Sequence, residues 1–84
     1  MMQAILRLRA VQQATGYSRS TIYLRIKQGL WPRQVALGPR CIGWPQQEVF
    51  ALNEARVEGK SDDDIRTLVA HLHQARQSGK RGQP

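Results

Sequence analysis

Several things are scarce in this 84-residue chain, and each scarcity excludes something. A single cysteine, Cys41, rules out an internal disulfide and any cysteine-based zinc site. No apolar run approaches the ~20 residues that a membrane span needs, and residues 1–10 lack the apolar block of a signal peptide. The expectation is therefore a soluble, cytoplasmic protein that does not associate with membranes. Five aromatic residues allow only a modest core, in a chain long enough for one small domain. The most telling scarcity is of negative charge: residues 1–47 contain no Asp or Glu at all.

That acid-free half carries Arg7, Arg9, Arg19, Arg25, Lys27, Arg33 and Arg40. Residues 48–84 hold six bases and six acids and sum to zero, so the whole net charge of +7 lies in the N-terminal half. Charge segregated in this way is the footprint of a polyanion binder such as a nucleic-acid-binding protein. Combined with the tight turn and basic helix at 15–27, the outline of a helix-turn-helix, it makes double-stranded DNA the expected partner. A merely solubilising surface would not require the separation.

Chemistry finds little footing. His71 and His73 are two apart on a predicted helix, hence on different faces. Asp62, Asp63 and Asp64 are accounted for as partners of a helix dipole. Cys41 has no identifiable base or oxyanion device beside it, and no phosphate-binding glycine loop is present. Neither an enzymatic activity nor a cofactor or metal is expected.

The pattern of elements is more informative. Leu8, Val11 and Ala14 recur at spacings of three, giving a first helix over about 9–15. Gly16 can end it in the left-handed conformation, and Ser18 can cap a second helix by accepting from the Thr21 amide. On that second helix, 18–28, Ile22, Ile26 and Gly29 define the buried side, while Ser20, Leu24 and Lys27 lie opposite. Arg25 falls near the buried edge, where its stem can run along the core. Leu24, exposed on a basic helix, can meet a thymine methyl in a major groove.

Downstream, two apolar runs flank Gly38-Pro39-Arg40 and predict a β-hairpin over 34–44, with Val35, Leu37, Ile42 and Trp44 sharing the core face. Ile5, Leu6 and Leu8 form a short apolar stretch that pins the N-terminus. A third helix follows Pro45, from about Gln46 to Val57, anchored by Val49, Phe50 and Leu52 and stopped by Gly59. Ser61 then caps an amphipathic helix to about Ser78, with Ile65, Leu68, Val69, Leu72 and Ala75 as its stripe. That stripe must be covered, by the same domain or by a second copy. The expected fold is mainly α with a small β-hairpin: a winged helix-turn-helix at 1–59, a C-terminal amphipathic helix at 60–78 and a flexible basic tail at 79–84.

Five segments together resemble the AlpA family of prophage-associated regulators. They are Leu8-Arg-Ala-Val11, Thr15-Gly-Tyr-Ser-Arg-Ser-Thr-Ile-Tyr23, Gly29-Leu-Trp-Pro32, Val35-Ala-Leu-Gly38 and Gly43-Trp44, and the likeness covers roughly residues 4–57. It implies a winged helix-turn-helix related to MerR-type domains and phage excisionases, and a nucleoid-associated, sequence-specific DNA binder of a mobile element. Relatives activate excision genes or act as recombination directionality factors that bend attachment-site DNA. The resemblance maps the recognition helix onto Ser18, Arg19, Ser20, Thr21, Tyr23, Leu24 and Lys27, and the wing onto Arg33 and Arg40. Tyr23 can equally pack its ring beside Ile26. Further partners under this reading are a second copy, in a dimer or cooperative array, or an integrase. Two features depart from the family pattern: Pro45 after Gly-Trp, and everything from Gly59 onward. A different class of reading makes 61–78 the docking surface of an interaction module of anti-repressor type.

Overall fold

The computed structural model describes residues 4–81, with side chains described through Gln77. In chain order the elements are β1 (Ile5–Arg7), α1 (Leu8–Thr15), α2 (Arg19–Lys27), β2 (Val35–Gly38), β3 (Cys41–Pro45), α3 (Gln46–Val57) and α4 (Asp62–Arg81). The fold is mainly helical with a small antiparallel sheet, as expected. The sheet has three strands in the order β1-β3-β2. The apolar stretch at the N-terminus is thus a true edge strand, pairing Leu6 with Trp44 and Arg7 with Gly43.

The turn between α1 and α2 forms as the residue types dictate. Gly16 closes α1 at φ 78° in the left-handed region, its N–H donating to the Gln12 carbonyl. Ser18 caps α2, its hydroxyl accepting from the Thr21 amide at 3.2 Å. A second left-handed glycine, Gly29 at φ 78°, ends α2 and turns the chain toward Leu30, Trp31 and Pro32, all buried.

One core serves every element except β2, none of whose residues is buried. Val11, Ile22, Trp31, Trp44, Val49, Leu52, Ile65 and Val69 belong to a single buried cluster, with Leu6, Leu8, Ile26, Leu68 and Leu72 packed on it. Burying a side chain the size of Ile65 contributes about 1.5–3 kcal/mol. Since Ile65 and Val69 are buried here, the stripe of α4 folds back on its own chain. The helix also continues to Arg81, three residues beyond its expected end, into the stretch expected to be a flexible tail; residues 82–84 lie outside the described residues.

Three packing expectations are corrected. Val35 pairs directly with Gly43, and paired residues share a face, so Val35 lies on the side opposite Trp44. A register irregularity between Ala36 and Gly38 leaves Leu37 on that outer side too, 43% exposed. The inner face is built instead from Leu6, Ile42 and Trp44, and Ala36, paired with Ile42, stays exposed. Phe50 is 53% exposed, because the buried side of α3 runs through Glu48, Val49, Leu52 and Ala55. Ala14, at the last turn of α1, is exposed, and its carbonyl accepts from the Asn53 amide group at 2.9 Å.

Candidate nucleic-acid interface

Helix α2 offers its first turn and one flank to solvent. Arg19, Ser20 and Leu24 are exposed, Leu24 at 52%, and Thr21 and Tyr23 are half-buried. Lys27 is exposed one turn further on. The hydroxyl of Ser18 is committed locally: besides capping, it donates to Thr21 Oγ1 at 2.9 Å and lies 3.3 Å from Ser20 Oγ. It therefore serves chiefly to start the helix, while the Ser20 and Thr21 hydroxyls keep donor or acceptor capacity facing outward.

Arg25 behaves as its position on the helix suggested. Its guanidinium carbon lies 4.9 Å from the Tyr17 ring centroid, and Tyr17 meets Trp31 edge-to-face at 6.1 Å. A cation stacked this way supports the turn rather than reaching outward.

Tertiary structure adds something that linear spacing conceals. Arg7, Leu8, Arg9, Arg19, Tyr23, Arg40 and Ile42 line one cleft of about 490 Å³. Four guanidinium side chains from β1, α1, α2 and the hairpin turn meet there with no carboxylate in the lining. Arg19 also lies over the Tyr23 ring, 5.9 Å from its centroid, which orients both side chains at the mouth. Of the residues singled out from sequence, Arg19, Tyr23 and Arg40 are brought together around this cleft. Arg7 and Arg9 were counted only as charge. Finding them required knowing that residues 5–7 pair with β3, which sets the start of α1 beside the hairpin turn.

Arg40 stands at the tip of that turn with φ 58°, the sole non-glycine residue with positive φ among the described residues. Gly38 pairs with Cys41, so Pro39 and Arg40 are the two central turn residues. Proline followed by a residue at positive φ is the pattern of a type II turn, whose second central position favours glycine. An arginine there is held in a conformation that costs about 1–2 kcal/mol.

Arg33 is placed differently. It precedes β2 and does not line the cleft; its side chain is exposed while its backbone is gripped by α4. The Arg33 N–H donates to His73 Nε2 at 3.0 Å, and its carbonyl accepts from Arg76 Nη2 at 2.9 Å. To accept, that imidazole nitrogen must be unprotonated. Burial lowers the His73 pKa from its ordinary value, Arg33 and Arg76 lower it further, and Glu48 opposes them.

Among the described residues no group of three or more His, Cys, Asp or Glu side chains is placed to hold a metal ion. No helix there is long and apolar enough to cross a membrane.

The profile of the family described as Prophage CP4-57 regulatory protein (AlpA) matches residues 4–51, from β1 into α3. The chain is also 40% identical over 58 residues to the uncharacterized protein ORF88 of Enterobacteria phage P4, a span covering 69% of this chain and 66% of that relative. No solved structure matches it significantly. With more than half of its length matched, the chain belongs to the AlpA family of prophage regulatory proteins.

Proposed function

We propose that this protein is a sequence-specific DNA-binding regulator that seats α2 in the major groove and lays the β2–β3 hairpin, as a wing, on the flanking backbone or minor groove. The observation that carries the reading is the four-arginine cleft. It joins the exposed start of α2 to the hairpin tip through Arg19, Tyr23 and Arg40, with Arg7 and Arg9 completing its basic wall. A phosphate strand following that cleft would be contacted from two elements at once, which fixes register and orientation. Ser20, Thr21 and Leu24, beside the cleft and outward-facing, are suited to base edges and thymine methyls, and Lys27 to phosphate.

Selection from a random duplex pool tests the reading. One preferred sequence should emerge, and affinity for it should fall steeply with salt as phosphate contacts release counterions. A pool without enrichment, or affinity indifferent to salt, refutes it. The excisionase variant of this function is separated by a DNA-bending and integrase-recruitment assay on the selected site. The reading of 61–78 as a docking surface loses support, since Ile65 and Val69 of its stripe are consumed in the chain's own core.

A further inference from the structure

Helix α4 starts at Asp62, beyond the residues that the family profile matches. Even so, its side chains reach the backbone at both ends of the segment that carries the chain from α2 to β2. At one end, Arg66 Nε donates to the Gln28 carbonyl at 3.0 Å, and the Arg66 stem lies against Gly29. A guanidinium at the C-terminal end of a helix is also favourably placed in its dipole. At the other end, both backbone groups of Arg33 are held, the N–H by His73 and the carbonyl by Arg76. Between these anchors Leu30 and Trp31 are buried in the core, and the Pro32 carbonyl accepts from Trp44 Nε1 at 2.8 Å.

The Arg76 anchor is itself fixed. Its Nε and Nη2 hold the two oxygens of Glu48 at 2.8 and 2.5 Å, and Glu48 is only 5% exposed. A buried ion pair is a weak stabiliser, because desolvation cancels much of the attraction and apolar residues of similar size often do as well. What this pair adds is direction. It aims a third N–H···O contact of the same guanidinium at the peptide two residues before the wing strand.

We infer that α4 is a strut that sets the wing relative to the recognition helix, with Arg76, His73 and Arg66 as positioning residues for DNA binding. The inference rests on the reading that α2 and the hairpin grip DNA. It assigns α4 a role within one chain, with no contact of its own to DNA.

The test uses the full chain with Glu48→Met and Arg76→Met together, which removes the pair without stranding a buried charge. Amide hydrogen exchange in the absence of DNA should quicken about tenfold or more at Val35–Cys41, while Ile22 and Leu52 keep their protection. On the selected duplex, the double variant should lose about as much affinity as Arg40→Ala, roughly tenfold. Combining all three changes should give little further loss, because the strut acts through the wing. Unchanged exchange in the hairpin overturns the inference, as does a triple variant whose losses simply multiply. Should the double variant fail to fold, His73→Ala leaves the ion pair intact and should show the same effects more weakly; no effect on hairpin exchange overturns the inference there too. Full affinity in Arg40→Ala would instead refute the wing contact itself, leaving the exchange measurement to decide on the strut.

Discussion

Replacing Arg40 by glycine should strengthen the fold and weaken DNA binding at the same time. Arg40 sits at φ 58° at the hairpin tip, where an L-residue pays about 1–2 kcal/mol and glycine pays nothing. Against that gain stands the greater freedom of glycine in the unfolded chain, about 0.5–1 kcal/mol. The net expectation is a stability unchanged or raised by up to about 1.5 kcal/mol, which for a domain of this size is a rise in Tm of up to several degrees. The same change removes one cation from the proposed wing contact, so the slope of log K against log salt should flatten by about one. Paired urea melts and fluorescence-anisotropy titrations at several salt concentrations read both quantities. Arg40→Ala is the control, since it keeps the unfavourable φ while losing the charge; it should bind as weakly as the glycine variant with no gain in stability. A glycine variant less stable than the parent by 1 kcal/mol or more would refute the strain argument. A glycine variant with undiminished affinity would refute the role of the tip.

Other perturbations address separate links. A methyl group at Gly43 would stand 2.6 Å from Ile5 Cγ2 and 2.8 Å from the Leu6 carbonyl oxygen, so Gly43→Ala should part β1 from β3 and cost about 1–3 kcal/mol in urea melts. His73 has a lowered pKa in the folded state, so below the ordinary value of 6.5 the unfolded chain binds the proton more readily and folding loses stability as pH falls. Melts between about pH 7 and pH 5 should show that loss, and His73→Gln should lack this component of it. Lys27→Ala should weaken binding to all duplexes alike and flatten the salt slope by about one. Ser20→Ala or Thr21→Ala should change which sequences are selected; an unchanged preference would shift specificity toward the wing.

Local signals in the sequence carried much of this fold. Gly16, Ser18 and Gly29 mark the ends of α1 and α2 because glycine at positive φ and a serine cap are local chemistry, and the structure shows them in those roles. Apolar spacing of three pointed to α1, and of three and four to α4, for the same reason, although Ala14 of the first set is exposed. The face of β2 was not legible, since one irregularity in register transfers a strand's side chains to the opposite side. Phe50 was misplaced because several apolar residues on one helix do not by themselves say which arc faces the core. Nor could spacing reveal Glu48 with Arg76, 28 residues apart, or the approach of Arg7 and Arg9 to Arg40. Those are contacts of tertiary structure between residues that look like ordinary charges in the chain. The acid-free half announced that DNA was the partner to expect; which arginines converge became visible only with β1 paired to β3.

The most direct test of the DNA-binding reading is a map of amide and side-chain resonances titrated with the selected duplex. The expected shifts fall on residues 18–28, on the hairpin tip around Arg40, and on Arg7 and Arg9, with the solvent-facing side of α4 unmoved. Shifts centred on α3 and α4, with the four-arginine cleft silent, would contradict it.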